Sequence, residues 1–331
     1  MKAAWYERNG PAAEVLVVGE MTDPHPAAGE VRVRLHTSGV NPSDVKSRAG
    51  STRPMAFPRQ VPHSDGAGVI DEIGTGVPAA RLGERVWIWN AAWQRPGGSA
   101  AEFVVLPARQ AVPLPANATF EAGACLGIPA ITAHRAVFAD GPPTGQTVLV
   151  SGGAGVVGHY AIQLAKWAGA QVITTVSSTE KAAHASAAGA DHVIDYKRED
   201  VAERVLALTS GEGVDRIVEV EFGGNLALNL RVAKMGAVIA TYGSTIREPQ
   251  IPFFPLVFRN LVLRLVHMYG LPQSAKDHAA RDIAAWIATG RAQFAIAARF
   301  PLDRIVDAHR TVEGGAKVGH VLLDIQPETL A

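Results

Sequence analysis

A glycine-rich turn with the sequence GGAGVVG, at residues 152–158, constrains the fold of this chain more than any other feature. It stands between an apolar strand predicted at 147–150 and a helix predicted at 157–168. Glycines at this spacing permit a tight turn, close approach of the backbone to a pyrophosphate, and close packing of the helix against the strand. The helix N-terminus adds unpaired N–H groups and the positive end of the helix dipole.

We therefore predict a dinucleotide site at this turn, and a turn that serves packing alone is the alternative. The predicted contacts are Gly153, Gly155, Val156, Val157 and Gly158.

Strands and helices of moderate length alternate along the chain after this turn. Predicted strands lie at 171–176, 192–194, 216–220, 237–241 and 261–268, and predicted helices at 179–188, 201–208, 226–233 and 275–289. Such alternation indicates a parallel, doubly wound sheet in an α/β fold.

The first 120 residues follow a different pattern. Short alternating or apolar runs at 31–35, 68–73, 85–89 and 101–106 lie between frequent glycines and prolines, which predicts strands and no long helices. Residues 120–138 are alanine-rich and predicted to be helical, with Pro129 starting or kinking a segment. Residues 318–325 are predicted to be one more strand, which returns to the first domain. A chain of 331 residues is long enough for two domains.

Charge and cysteine content exclude several classes of protein. Lysine plus arginine and aspartate plus glutamate each number 31, which argues against nucleic acid or an anionic membrane as a partner. The one cysteine, Cys125, excludes an internal disulfide and a four-cysteine zinc site. With no targeting segment or membrane span recognised, we predict a cytoplasmic protein.

The end of the strand at 171–176 indicates which dinucleotide binds. NAD sites usually place an acid here for the ribose 2′-hydroxyl, whereas this chain has Ser177, Ser178 and Lys181. Ser177 and Lys181 would suit a 2′-phosphate, so NADP(H) is predicted over NAD(H). The alternative is that one of the serines caps the next helix and that Lys181 is solvated.

Motifs along nearly the whole chain resemble the zinc-free quinone oxidoreductase branch of the medium-chain dehydrogenase/reductases, especially its ζ-crystallin-like members. They are SGVNPSD at 38–44, SAAEFVV at 99–105, the glycine turn, GADHVIDY at 189–196 and GHVLL at 319–323. The resemblance implies a GroES-like, mostly-β catalytic domain (residues 1–122 and 290–331) and an inserted Rossmann domain (residues 123–289).

The same resemblance places Asn41, Ser64 and Gly127 where zinc-dependent relatives carry cysteine or histidine ligands. None of the three is a good zinc ligand, and His63 and Cys125 are displaced from those positions and are interpreted as packing or hydrogen-bonding residues. We therefore predict no metal, no stoichiometric zinc in the purified protein, and activity that chelators leave unchanged.

Further site residues follow from the resemblance. Asn41 and Asp44 are implied near the nicotinamide ribose as positioning residues, and an Asx turn around Pro42 is compatible with that role. Tyr196 is implied beside the adenine. Asn225 is implied near the ribose or nicotinamide, with loop capping as an equal alternative. The resemblance also implies that a backbone segment runs along the nicotinamide, and this segment consists of Thr241, Tyr242, Gly243 and Ser244.

Substrate contacts are the least constrained part of the sequence. Lys46 and Thr52 stand where well-known quinone reductases of this branch carry tyrosines. Lys46 and Arg48 are hypothesised to meet an anionic or carbonyl-bearing substrate, or else to line a solvent edge. Trp87 is the predicted aromatic wall, with Trp89 and Trp93 as further candidates.

The predicted activity is a zinc-independent, NADPH-dependent reduction of a quinone or activated enone. The alternatives are a zinc-free reductase of aldehydes or other unsaturated substrates, and a non-catalytic, crystallin-like NADPH-binding protein. The predicted strand at 261–268 would leave an apolar edge, and pairing of two such edges predicts a homodimer. The alternative is that this strand is internal to the sheet and is covered by the helix at 275–289.

Overall fold

The computed structural model describes residues 1–52 and 54–326, which form two compact units. Unit 1 comprises residues 1–128 together with the chain from residue 287 onward, and unit 2 comprises residues 129–286. The domain boundaries predicted from the sequence stay a prediction. No helix within the described residues is long and apolar enough to cross a lipid bilayer.

The strands and helices are numbered along the whole chain. The strands are β1 Lys2–Trp5, β2 Val17–Glu20, β3 Glu30–Val40, β4 Asp65–Ile73, β5 Arg85–Ile88, β6 Phe103–Pro107, β7 Ala111–Pro113, β8 Thr147–Val150, β9 Gln171–Val176, β10 His192–Asp195, β11 Val214–Glu219, β12 Ala233–Thr241, β13 Val262–Leu265, β14 Ile296–Pro301 and β15 His320–Asp324. The helices are α1 Ala12–Val15, α2 Pro42–Ala49, α3 Phe120–Ala124, α4 Gly127–Phe138, α5 Val156–Trp167, α6 Thr179–Ala187, α7 Val201–Leu208, α8 Phe222–Val232, α9 Phe253–Val257, α10 Gln273–Ala288 and α11 Ile305–Glu313.

Unit 2 contains the parallel sheet that the alternating pattern predicts, with strand order β10-β9-β8-β11-β12-β13. Apolar residues of its central strands are buried because helices cover both faces of a doubly wound sheet. Leu149, Ile173, Ile217 and Ile239 are fully buried in this core. The chain order reverses between β8 and β11, and ligands of such sheets bind beyond the carboxyl ends of the strands at that point.

Two helical predictions differ from the structure. The single helical stretch at 120–138 is divided into α3 and α4, with Cys125 and Leu126 between them, and Pro129 lies in the first turn of α4, where proline is tolerated. The helix predicted from residue 226 begins at Phe222, because the Glu221 side chain accepts a hydrogen bond from the Gly224 N–H.

Unit 1 is built around a mixed sheet with the order β14-β15-β3-β4-β5-β7, and β6 also pairs with β3. The predicted return of the C-terminal strand is confirmed, since β15 pairs antiparallel with β3. The first-domain strands at β3, β4, β5 and β6 are likewise confirmed. Strand β3 ends at Val40, so the turn that follows it delivers Asn41 and helix α2 to one end of this sheet.

Candidate active site

The glycine loop joins β8 to α5, and two of its glycines are required by packing. A Cβ at Gly153 would lie 2.1 Å from Thr174 Oγ1, and one at Gly158 would lie 2.4 Å from the Gly152 carbonyl oxygen. Gly155 differs, because its Cβ would meet that oxygen at 3.3 Å and the residue is exposed. Gly153 and Gly158 therefore hold the helix against the strand, and the backbone of Gly155 is left exposed at the turn.

The loop is tied to the neighbouring strand β9 by backbone hydrogen bonds. The Gly152 N–H donates to Thr175 Oγ1 and the Gly153 N–H to the Thr175 carbonyl oxygen, each at 3.1 Å. Helix α5 starts directly after Gly155, so the first N–H groups, at Val156 and Val157, have no partner within the helix. A phosphate would be met by donors and by the positive end of the helix dipole.

The residues predicted to select NADP(H) lie together at the end of β9. Lys181 Nζ donates to Ser177 Oγ at 3.0 Å, and both residues are partly exposed. The capping role falls to Ser178, whose Oγ accepts from the Lys181 N–H at 3.3 Å. Ser177 and Lys181 therefore form a cation–hydroxyl pair that a phosphate could enter.

Tyr196 lies beside the same strand end. Its N–H donates to the Val176 carbonyl oxygen at 3.1 Å, and just over half of the residue is exposed. An exposed ring next to Ser177 in the sheet is compatible with stacking on an adenine, the role that the resemblance implies for it.

A buried glutamate that the sequence analysis missed organises the loop after β11. Glu219 is the last residue of that strand and is fully buried. Four donors meet its carboxylate at 2.6–3.0 Å, namely Ser151 Oγ, the Glu221 N–H, Asn225 Nδ2 and Asn229 Nδ2. The amide of Asn225 is therefore engaged within the protein, which favours the loop-capping alternative for that residue. An acid at the end of a central parallel strand was the signal available in the sequence.

The segment after β12 crosses the end of β11. The Tyr242 N–H donates to the Glu219 carbonyl oxygen at 3.2 Å, and the Gly243 carbonyl accepts from the Phe222 N–H at 2.9 Å. Burial raises the pKa of the Tyr242 hydroxyl, so it stays protonated. Thr241 Oγ1 also donates to the Gly243 carbonyl, and Ser244 Oγ donates to the Ile246 carbonyl. The predicted backbone segment thus has a fixed path along this edge of the sheet.

In unit 1, a buried polar cluster surrounds Asn41. The Asn41 N–H donates to Asp44 Oδ2 at 2.9 Å, which stabilises the start of α2. Its Nδ2 donates to Asp65 Oδ2 at 2.7 Å. Both carboxylate oxygens of Asp65 also accept from the Ile128 N–H at 2.9 Å. Asn41 is therefore fixed from two sides by carboxylates, one of which, Asp65, the sequence analysis did not select.

Burial sets the protonation of these two acids. Loss of solvent raises the pKa of Asp44 to about 7, and the N–H groups of Asn41 and Ser64 act in the opposite direction. Burial also raises the pKa of Asp65, and the nearby Asp44 carboxylate adds to that increase. The cluster therefore holds protons near neutral pH, unlike exposed carboxylates.

Comparisons with known proteins agree with both units. The family model described as an alcohol dehydrogenase GroES-like domain matches residues 27–116, and the one described as a zinc-binding dehydrogenase matches residues 156–288. A quinone oxidoreductase from Rattus norvegicus is 30% identical over 325 residues, which cover 96% of this chain and 95% of that protein. The chain belongs to the quinone oxidoreductase branch of the medium-chain dehydrogenase/reductases.

Solved structures of this family superpose on the whole fold. One described as an NAD-dependent alcohol dehydrogenase has a TM-score of 0.90 and 30% identity, and a mycobacterial protein complexed with NADPH has a TM-score of 0.86 and 29% identity. Each covers 98% of this chain and 100% of the other chain. The predicted combination of a GroES-like and a Rossmann domain is confirmed.

The catalytic zinc positions of the family do not fit a metal in this chain. The Asn41 amide is held by Asp65, and a Cβ at Gly127 would lie 2.0 Å from an Asp65 oxygen. His63 contacts Ser38 Oγ through Nδ1 at 3.0 Å and His309 through Nε2 at 2.9 Å. Among the residues described, no three histidine, cysteine or carboxylate donors converge around Asn41.

The predicted substrate side chains lie in contrasting environments. Lys46 is exposed, whereas Arg48 is buried and its guanidinium donates to Glu313 and to the Gly10 carbonyl. Trp87 is fully buried. Burial and matched charge therefore remove Arg48 and Trp87 from the candidate substrate contacts. The sequence does not indicate that the Arg48 side of α2 packs on α11, where Glu313 accepts its hydrogen bond.

Proposed function

We propose that this chain is an NADPH-dependent oxidoreductase that passes hydride to a quinone or an activated enone without a catalytic zinc. The observation that carries the proposal is the glycine loop at the reversal point of a parallel sheet, with Lys181 hydrogen-bonded to Ser177 directly after the neighbouring strand β9. The rat relative named quinone oxidoreductase and the mycobacterial structure with NADPH support the same reading.

Each part of the cofactor would meet a different group of this chain. Backbone at Gly155 and the N–H groups at the start of α5 would bind the pyrophosphate. Ser177 and Lys181 would bind the 2′-phosphate, and Tyr196 would cover the adenine. The segment from Thr241 to Ser244 would line the nicotinamide side, with its path fixed by Glu219 and Phe222.

A bound nicotinamide would supply the hydride, and the protein would hold it in position against the acceptor. Quinones and enones accept a hydride without a metal because their conjugated systems delocalise the negative charge. Asn41 is proposed to orient the cofactor ribose. Asp44 and Asp65 are proposed as positioning residues, because Asp44 accepts from the backbone N–H of Asn41 and Asp65 accepts from its side-chain amide. Lys46, the exposed cation of α2, remains a candidate for the substrate edge.

Zinc-independent catalysis is proposed because the family's ligand positions hold Asn41, Ser64 and Gly127. Treatment of the full-length protein with a chelator is expected to leave its NADPH oxidation rate unchanged, and added zinc is expected not to increase it. A rate that falls on chelation and returns with zinc would reject this part of the proposal.

The activity is tested by steady-state oxidation of NADPH and NADH with a panel of quinones, enones and aldehydes. Turnover that is fastest with quinones or enones and NADPH supports the proposal. Turnover confined to aldehydes, especially with NADH, would favour an activity like that named for the alcohol dehydrogenase neighbour. Tight NADPH binding without turnover of any acceptor would favour a nucleotide-binding protein instead.

A homodimer is proposed from the edge of the unit 2 sheet. Strand β13 is the edge strand, and Leu265 on it is about three-quarters exposed. Phe253, Phe254 and Phe258 beside it are also largely exposed, and two of these rings stack with their centroids 5.6 Å apart. An apolar edge of this kind is a pairing surface unless it is covered. Light scattering at micromolar concentration distinguishes a dimer from a monomer.

The predicted cytoplasmic location stays a prediction.

A further inference from the structure

Two histidines and an aspartate meet in unit 2, at residues that the sequence analysis did not select. His134 belongs to α4, and His278 and Asp282 lie one helical turn apart on α10. Asp282 Oδ2 lies 2.7 Å from His134 Nε2 and 3.1 Å from His278 Nε2. Within residues 1–52 and 54–326, this is the one group of three such donors whose ligand atoms all lie within 4.8 Å of one another.

The helices that carry these side chains are anchored by apolar packing. A spacing of four residues places His278 and Asp282 on one face of α10. The His134 ring stacks on Phe138 at 4.7 Å and meets the His278 ring edge-on at 5.2 Å. Buried apolar residues on the same two helices are Ala133, Ala136 and Val137 of α4 and Ala279, Ile283 and Trp286 of α10. Side chains on anchored helices are placed more rigidly than side chains on loops.

The donor types suit a divalent transition metal. Zinc sites with three protein ligands use histidine nitrogens and a carboxylate oxygen, with water in the fourth position. Donor atoms about 2.1 Å from a tetrahedral zinc lie about 3.4 Å from one another. The contact of Asp282 with His134 would have to widen by about 0.7 Å and its contact with His278 by about 0.3 Å, and a metal would replace both of these contacts to the carboxylate.

Burial differs along the cluster in a way that leaves an entrance. The His134 side chain is fully buried, and those of Asp282 and His278 are 27% and 48% exposed. A metal could therefore enter from the His278 side and keep a water ligand there.

We propose that His134, His278 and Asp282 form a zinc site that ties α4 to α10. The site uses none of the residues assigned above to the cofactor or the substrate, so its metal would stabilise unit 2 rather than take part in hydride transfer. The proposal replaces the expectation of a zinc-free protein and leaves the proposed zinc-independence of catalysis intact.

The test is titration of the chelator-treated full-length protein with zinc chloride, followed by calorimetry and by thermal unfolding. We expect one zinc per chain with a Kd on the order of 1 µM or tighter. A hundredfold excess of zinc over Kd is expected to raise the Tm by roughly 5 °C. Cobalt in place of zinc is expected to give the visible absorption of a tetrahedral site.

Two variants test the more exposed ligands and leave the buried His134 side chain itself in place. His278→Ala and Asp282→Asn are each expected to weaken zinc at least tenfold and to abolish the increase in Tm. The matched control is His25→Ala, because His25 lies 3.0 Å from Glu72 in a histidine–carboxylate pair that no third histidine, cysteine or carboxylate joins among the described residues. That control is expected to bind zinc like the wild type.

The proposal is overturned if no one-to-one zinc binding is seen, or if His278→Ala and Asp282→Asn bind zinc as tightly as His25→Ala. In either case the cluster is a hydrogen-bonded group only. Because the readouts are zinc affinity and Tm, failure here leaves the proposed oxidoreductase activity untouched.

Discussion

The glycine loop of unit 2 and the Asn41 cluster of unit 1 contribute to one proposed reaction by different means. The loop presents backbone, and its functional atoms lie within a single strand–turn–helix segment. The cluster presents side chains, and its hydrogen bonds to Asp65 join residues 24 and 63 positions apart in the chain. The loop depends on the absence of side-chain atoms, whereas the cluster depends on buried polar groups that find partners.

This contrast gives the two sites different vulnerabilities. Adding a single carbon to the loop should disturb it, because its glycines lie against backbone and side-chain oxygens. Removing a partner should disturb the cluster, because a buried donor without an acceptor costs the full desolvation of that group. Glycine substitutions in the loop and removal of hydrogen-bond partners in the cluster therefore test whether the two sites fail for different reasons.

The largest effect is expected from Gly158→Ala, compared with Gly155→Ala. The new methyl at residue 158 would collide with the Gly152 carbonyl, so the free energy of unfolding should fall by about 3 kcal/mol and NADPH binding by more than a hundredfold. Gly155→Ala should keep its stability and still lose NADPH affinity. Urea unfolding and NADPH titration of both variants measure the difference. Equal stability of the two variants would show that the loop tolerates side-chain atoms.

Asp65→Ala should have the next largest effect. It leaves the Asn41 amide and the Ile128 N–H buried without their acceptor, so the free energy of unfolding should fall by roughly 2–3 kcal/mol. Asp65→Asn retains one acceptor oxygen and should lose less. Chemical denaturation of the two variants gives the comparison, and an Asp65→Ala variant as stable as the wild type would contradict the proposed organisation of the cluster.

Lys181→Ala tests the cofactor assignment. A charge-assisted hydrogen bond contributes roughly 1.5–3 kcal/mol, so NADPH should bind about ten- to a hundredfold more weakly. NADH lacks the 2′-phosphate and should bind as before. Ser177→Asp should repel that phosphate and offer a carboxylate to the free 2′-hydroxyl. The test is the ratio of the Kd for NADPH to the Kd for NADH. A ratio near one in the wild type, or a ratio that neither mutation changes, contradicts the assignment of Ser177 and Lys181 to the 2′-phosphate.

The smallest effect expected is a change in pH dependence in Asp44→Asn. The pKa of Asp44 is raised, so the folded chain retains a proton that the unfolded chain releases near pH 4. Stability should therefore fall as the pH rises from about 5 to 7, by about 1–2 kcal/mol in the wild type. Asp44→Asn removes this titration and should make the fall with pH smaller, although Asp65, whose pKa is also raised, still contributes to it. Urea midpoints at pH 5 and pH 7 test whether stability falls as the pH rises. The same fall in the wild type and in Asp44→Asn would mean that Asp44 is ionised throughout.

Site residues close to one another in the chain were predicted more completely than residues brought together from a distance. Gly153, Gly158 and the Ser177–Lys181 pair were selected from the sequence, because the turn and the strand end that hold them are short segments. Asp65 was missed because its partners Asn41 and Ile128 lie far from it in the chain. Glu219 was missed although three of its four partners lie within ten residues of it, because the sequence does not show that its carboxylate is buried. Arg48 and Trp87 were assigned to the substrate, since a sequence does not indicate which face of a helix or strand is buried.

The sequence by itself determined the parallel sheet, the dinucleotide turn and the absence of cysteine or histidine at the family's zinc positions. These features depend on periodicity, glycine geometry and residue identity, which are local. Only the tertiary structure decided that Asp44 and Asp65 are buried around Asn41, that Glu219 gathers four donors, and that His134 meets His278 and Asp282. Burial and proximity between distant segments follow from packing of the whole unit, and the pKa values and donor geometry of these groups follow from that packing.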